Sequence, residues 1–293
     1  MSLLRLGDTV AVVAPASLAT VARLEAGLEA LAALGFVPSL RLPEPWTARP
    51  YLAGTDAARA AVLHEAFADP AVAAIWCLRG GFGSARLLPA LVARSLETKP
   101  LIGFSDITAL HLGLLGRGPI GLHGPVVTQL PDLDEGSLHH LRQLLTGAVT
   151  QVPLGDAVDV LRPGTAEGPL VGGNLAVLAS LVGTPWLPSL RGALLFLEDV
   201  GEAPYRLDRL LWQLRAAGAL DGVGAVLLGE FRDVPGGTDA GFDALCAELA
   251  GYIAGPVLAG LPFGHGRRNV ALPVGVHARV TTEPPSLTLL EAP

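Results

Sequence analysis

Short apolar runs alternate with amphipathic helical stretches through the first part of the chain, and this alternation leaves few architectures open. Val10 to Ala14 is an apolar run, and Val21, Leu24, Leu28, Leu31 and Leu34 then recur at helical spacing up to Gly35, a natural C-cap. Phe36 to Leu40 reads as a second strand, Pro43 to Gly54 as a loop, and Asp56 as the cap of a helix running through Phe67. Ala73 to Leu78 is a continuous apolar run, as a strand buried on both faces requires, and a helix follows from Ser84. Leu101 to Phe104 and Ile120 to Leu122 repeat the pattern, with the helix of Ile107, Leu110, Leu114 and Leu115 between them. The expectation is an α/β fold whose N-terminal domain is a doubly wound, mostly parallel sheet.

After Leu130 the pattern loosens to one helix around Leu138–Leu145 and a Gly/Pro-punctuated stretch from Val152 to Pro169. The domain junction is placed there, with an N-terminal domain over 1–130, a linking region over 131–168 and a C-terminal domain over 169–293. The C-terminal domain reads as α/β with a mixed sheet. Its apolar runs are Leu170–Val171, Ala193–Leu197, Val223–Leu228, Pro256–Pro262, Val274–Val280 and Ser286–Leu290, with helices over 175–182, around Tyr205–Leu214 and over 240–252.

Composition excludes several classes of function. The net charge is −7 and the basic residues are scattered, so no nucleic-acid or anionic-membrane footprint is present. The two cysteines, Cys77 and Cys246, lie far apart in apolar surroundings; they fit buried fillers, not a disulfide framework or a zinc cluster. Residues 1–14 carry Asp8 and alternate like a strand, unlike a secretion signal, and no run reaches membrane-spanning length, so a cytoplasmic location is expected.

Polar clusters close several apolar runs: Arg79-Gly80-Gly81, Ser105-Asp106, Glu198-Asp199 and His265. In open α/β sheets ligands gather beyond the carboxyl ends of strands. Ser105 stands at a strand-to-helix corner, where a hydroxyl is held clear of the sheet and backbone N–H groups face any charge forming beside it. Ser and Asp are also the commonest helix caps, so taken alone the pair reads first as a cap, and only the other clusters change that reading. The clusters together supply a nucleophile, a base, a carboxylate to orient the base and amides for an oxyanion, which acyl transfer requires. Among the histidines, His64, His139 and His140 read as solvated helix positions, His277 alternates in a strand, and His111 lies nearly two turns beyond Ser105. His123 closes an apolar run as His265 does and is its rival. Glu198 competes with Asp199, and only one of two successive strand residues can face a site. A carboxylate-pair glycosidase would leave Ser105 and His265 idle.

These residues carry a family resemblance. Gly7-Asp8, Ala14-Pro15-Ala16-Ser17, Arg79-Gly80-Gly81-Phe82-Gly83 with Arg86, Gly103-Phe104-Ser105-Asp106, His123-Gly124-Pro125, Gly172-Gly173-Asn174-Leu175, Glu198-Asp199 with Glu202, Pro204-Tyr205, Asp208-Arg209, and Gly264-His265 with Asn269, Leu272-Pro273 and Gly275 together resemble the LD-carboxypeptidases. These are muramoyltetrapeptide carboxypeptidases of the serine peptidases, a family that includes the microcin C immunity peptidases. The resemblance runs from Gly7 to about Gly275. It implies a triad of Ser105, Glu198 and His265, backbone oxyanion donors at Gly81 and Asp106, no metal and no cofactor, a homodimer, and a small muropeptide as partner. The implied reaction removes the terminal D-Ala from a cytoplasmic muropeptide tetrapeptide during wall recycling. Phe82 stands where the family often has Tyr, so any hydrogen bond from that hydroxyl is lost. A carboxypeptidase must also recognise a free carboxylate, for which a guanidinium is the natural partner. Arg79 is the candidate, with pairing to Asp106 or a helix-end carbonyl as its alternative. Two other functions remain: hydrolysis of peptidyl or aminoacyl nucleotides by the same chemistry, and non-catalytic ligand binding with Ser105 merely a cap.

Overall fold

The computed structural model describes residues 2–43, 49–147, 149–232 and 239–293. The chain divides into two compact units, Met1–Ala148 and Val149–Pro293. In the first, the elements are β1 (Thr9–Val13), α1 (Val21–Ala33), β2 (Val37–Arg41), α2 (Asp56–Ala68), β3 (Ala74–Cys77), α3 (Leu88–Leu91), β4 (Pro100–Gly103), α4 (Thr108–Gly113), β5 (Ile120–His123) and α5 (Glu135–Thr146). The strands lie in the order β5-β4-β3-β1-β2 and pair in parallel throughout. This is a doubly wound order whose direction reverses at β1 and β3, so the loops leaving those strands part to open a crevice.

Local sequence sets these elements. Ala74–Cys77 and Pro100–Gly103 are buried at every position, as interior parallel strands are, whereas the edge strand β2 is half exposed. Thr20 caps α1 by accepting from Arg23 N, and Gly35 ends the helix at φ +98°. The cap of α2 is Thr55, which accepts from Ala58 N at 3.1 Å, not Asp56 as expected. Asp56 is the first helical residue, and its carboxylate is taken by two arginines. The helix expected from Ser84 is a 3-10 turn, Ala85–Leu87, followed by the single turn α3. Residues 44–48 of the expected loop lie outside the described residues. His140, expected in solvent, is 3% exposed: Ser137, His140, Leu141 and Leu144 follow the helical period and form the buried stripe of α5.

The second unit contains β6 (Gln151–Val152), β7 (Asp159–Arg162), β8 (Thr165–Asn174), α6 (Leu175–Ser180), β9 (Leu194–Val200), α7 (Pro204–Ala216), β10 (Ala225–Arg232), α8 (Asp239–Tyr252), β11 (Val257–Ala259), β12 (Leu272–Pro273), β13 (His277–Thr282) and β14 (Pro285–Leu289). Its mixed sheet has the order β6-β14-β13-β8-β9-β10-β11-β7. Strands β8 to β11 are parallel, and antiparallel strands flank them on both sides. The stretch 131–168 is largely structured. Helix α5 falls in the first unit, and β6, β7 and the start of β8 fall in the second. Glycine and proline there punctuate short strands whose pairing partners lie far away in sequence, Arg162 opposite Val257 and Val152 opposite Leu287, which local pattern does not reveal. Cys77 and Cys246 are free and buried, and burial pushes both thiols up, Cys246 to about 12.

Candidate active site

Three loops of the first unit leave the carboxyl ends of β1, β3 and β4 and meet around Ser105. The Ser105 backbone has φ +62°, the sole left-handed non-glycine conformation among the described residues. A β-carbon makes that region costly, and such outliers concentrate where geometry serves function. The capping account fails at this corner. The 3-10 turn Ser105–Ile107 has Phe104 at its cap position, α4 has Ile107, and neither start carries a side-chain cap.

Gly80 lies directly against the serine. A methyl group built on it would stand 2.9 Å from Ser105 Cβ, 3.0 Å from Oγ and 3.4 Å from Asp106 N, so only glycine leaves the hydroxyl and that amide open. Gly81 follows at φ +109° and packs on Ser17, whose N–H donates to Gly80 O at 3.3 Å and whose hydroxyl donates to Tyr51 O at 2.6 Å. Asp106 turns its carboxylate inward, where Oδ2 accepts from Ser84 N at 2.8 Å and the backbone oxygen accepts from Ser84 Oγ at 2.5 Å. Burial raises its pKa against those hydrogen bonds.

The remaining predicted residues of this unit divide clearly. Arg79 is exposed and donates to Leu18 O at 2.9 Å, a backbone carbonyl, and not to Asp106. Arg86 is committed to a two-pronged ion pair with Asp56, with Nη2 to Oδ2 at 2.5 Å. Phe82 is half exposed and stacks at a tilt on Tyr51, ring centres 6.0 Å apart. His111 is buried with Nε2 donating to Gly103 O at 2.8 Å, and burial lowers its pKa to about 4. His123 is buried against the Phe104 ring.

The second unit brings two predicted residues together. His265 Nδ1 lies 2.7 Å from Glu198 Oε2, and the carboxylate is fully buried while the imidazole is 19% exposed. A carboxylate only accepts, so Nδ1 holds the proton and Nε2 carries the lone pair of a base. Glu198 sits inside β9, one residue before Asp199, and the pleat sends the two side chains to opposite faces. Asp199 accepts from Asn174 Nδ2 at 2.9 Å, Ala176 N at 2.9 Å and Val200 N at 2.8 Å, holding the start of α6. Burial raises its pKa to about 6. Gly264, at φ +131°, passes within van der Waals reach of Glu198, and its N–H donates to Asn269 Oδ1 at 3.2 Å, which fixes the loop that presents His265.

Two residues of the first unit that hold the loops around Ser105 were not singled out for such a part in the sequence: Ser84, read only as a helix start, and Arg59. Arg59 falls on the apolar stripe of α2 with Leu63, Ala66 and Phe67, and a charge on such a stripe is the signal that could have found it. Among the described residues no group of His, Cys, Asp and Glu is arranged to hold a metal ion, and no helix is long and apolar enough to cross a membrane.

Comparison with known proteins places the chain in a family. Residues 10–124 match the model of the LD-carboxypeptidase N-terminal domain and residues 167–280 that of the LD-carboxypeptidase C-terminal domain. The chain is 39% identical over 282 residues to the murein tetrapeptide carboxypeptidase of Pseudomonas aeruginosa, covering 91% of each chain. It is 29% identical to the microcin C7 self-immunity protein MccF of Escherichia coli, covering 82% of this chain and 80% of that one. Among solved structures, the muramoyltetrapeptide carboxypeptidase from Oxalobacter formigenes superposes with a TM-score of 0.84 at 31% identity, over 97% of this chain and all of that one. The chain belongs to the LD-carboxypeptidase family.

Proposed function

We propose that this protein is a serine L,D-carboxypeptidase that releases the terminal D-Ala from cytoplasmic muropeptide tetrapeptides, as wall recycling requires. The observation that carries the reading is that each half of the machinery is preformed: Ser105 is held in a left-handed turn against Gly80, and His265 is held on a buried Glu198. Ser105 Oγ attacks the carbonyl carbon of the terminal peptide bond while its proton passes to His265 Nε2. Glu198 keeps Nδ1 protonated and stabilises the imidazolium. The developing oxyanion is met by the N–H groups of Gly81 and Asp106. Collapse breaks the C–N bond, His265 gives its proton to the departing amine of D-Ala, and water activated by the same imidazole hydrolyses the acyl-enzyme. Arg79 offers its remaining guanidinium edge to the substrate's free carboxylate, and Phe82 with Tyr51 offers an apolar rim.

Mass spectrometry of products from a panel of LD- and DD-linked peptides tests the reading. Wild type releases D-Ala from the LD-linked tetrapeptide, and Ser105→Ala lowers turnover by roughly 10⁴-fold or more while leaving the fold intact. Turnover retained by Ser105→Ala defeats it. The likeness to MccF supports a second reading within the same chemistry, hydrolysis of peptidyl or aminoacyl nucleotides. Cleavage of an aminoacyl-sulfamoyl adenosine in preference to the tetrapeptide would favour that substrate class. The higher identity to the murein tetrapeptide carboxypeptidase favours the first.

A further inference from the structure

The buried guanidinium of Arg59 ties together the loops that surround the nucleophile. Its Nη1 donates to Pro15 O and, at 2.9 Å, to Gly83 O; its Nε donates to Gly54 O at 3.2 Å. Its Nη2 pairs with Asp56 at 2.6 Å, and Asp56 is itself gripped by Arg86. Three backbone carbonyls from three separate loops therefore converge on one planar cation that is 1% exposed. Planarity and five fixed donors make arginine suited to this, because the donors are oriented before any bond forms.

The Gly83 end of this web leads to Ser105 in three covalent or hydrogen-bonded steps. Gly83 precedes Ser84, Ser84 donates from both N–H and Oγ to Asp106, and Asp106 follows Ser105. The same loop carries Gly80, packed on the serine, and Gly81, the proposed oxyanion donor. Its anchored end at Gly83 and its packed end at Gly80 together fix the Gly81 amide of the oxyanion hole relative to Oγ. Asp106 N, on the other side, is fixed by the inward pull of its own carboxylate and carbonyl on Ser84.

We infer that Arg59 is the positioning residue of the oxyanion hole, holding the 80–84 loop so that the Gly81 and Asp106 amides face the oxygen that becomes negative in the transition state. The inference rests on the acyl-transfer reading above. Arg59 does not touch the reacting atoms; it acts through Gly83 and Ser84. Its loss misplaces donors that matter only once the carbonyl oxygen is charged, so turnover falls and substrate affinity does not.

Arg59→Lys keeps the charge but cannot reach three carbonyls at once. With active sites counted by fluorophosphonate end point, its kcat per site falls about 100-fold and KM stays within about threefold, the size of effect a displacement near 1 Å produces. Affinity for a peptide boronic acid, whose tetrahedral adduct fills the oxyanion hole, falls by the same factor as kcat/KM. Affinity for uncleaved peptide, measured on the Ser105→Ala background, is unchanged by adding Arg59→Lys. Ser84→Ala removes the hydroxyl bond to the Asp106 carbonyl, one of the two links at the chain's other end, with Arg59 in place, and lowers kcat about tenfold with KM unchanged, which keeps the test open where Arg59→Lys folds poorly. A serine-dependent enzyme in which Arg59→Lys or Ser84→Ala lowers thermal stability alone, with wild-type kcat per titrated site and wild-type boronate affinity, overturns this inference alone. A wild-type enzyme that Ser105→Ala leaves active overturns the serine reading and this inference with it.

Discussion

Gly80 has no side chain to contribute, and the open space beside the Ser105 hydroxyl depends on that. Its backbone closes one side of the hydroxyl, and a methyl group there would press on Ser105 Oγ at 3.0 Å and crowd the approach to Asp106 N at 3.4 Å. Gly80→Ala is therefore expected to cut kcat about 100-fold by displacing the serine, the size a small misplacement brings. Its cost to stability stays within roughly 2 kcal/mol, as overpacking by one methyl does. Kinetics per titrated site beside a thermal melt checks both, and an active Gly80→Ala would mean that the 80–84 loop does not frame the nucleophile. The same scale explains a limit of sequence reading. The letters Arg79-Gly80-Gly81 mark flexible backbone near a strand end, but nothing in them says which glycine lies against the serine. Nor do they say that Arg79 donates to the Leu18 carbonyl.

Strand β9 delivers two neighbouring carboxylates to two different tasks, and the pleat alone separates them. Glu198 meets His265; Asp199 holds Asn174 and the first turn of α6. That only one of the pair could face a site was legible in the sequence, while the choice of Glu198 came from the family resemblance and not from the strand itself. Glu198→Gln is expected to lower kcat by about 10⁴-fold, because an amide turned to donate leaves the imidazole in the wrong tautomer. Its far-ultraviolet spectrum stays that of wild type. A Glu198→Gln enzyme within tenfold of wild type would remove Glu198 from the reaction. Helix ends were less legible than strand cores. Continuous apolar runs as short as Ala74–Cys77 fit buried strands, and this one is buried at every position, whereas the cap of α2 turned on a single residue, Thr55, in place of its acidic neighbour. His140 was lost for a related reason: its polar neighbour His139 is exposed, and one step along a helix separates solvent from core.

The whole molecule divides at Ala148, later than the loosening of the apolar pattern at Leu130, because α5 belongs to the first unit and the short strands after it pair with later strands of the second. Besides the two thiols and Asp106, each unit holds a buried group that titrates far from its ordinary range, and the two respond to acid with opposite sign. His111 in the first unit is held neutral by burial, with a pKa near 4 against 6.5. Its contribution to stability is complete above about pH 6.5 and is lost as pH falls through about 4, on the order of 3 kcal/mol in full. Asp199 in the second unit is raised to about 6 from 3.8. The unfolded chain releases that proton first as pH rises, so its stabilising contribution is complete below about pH 4 and lost as pH climbs through about 6, again on the order of 3 kcal/mol. Acidifying from pH 7 to pH 4.5 is thus expected to loosen the β4–α4 region around His111 and to firm the β9–α6 region around Asp199. Hydrogen exchange followed by mass spectrometry, corrected for the intrinsic pH dependence of exchange, reads the two regions separately. His111→Gln flattens the first response and Asp199→Asn the second, each without altering the other. Loss of protection in β9 ahead of α4 on acidification would mean that these two groups do not govern how the units answer to pH.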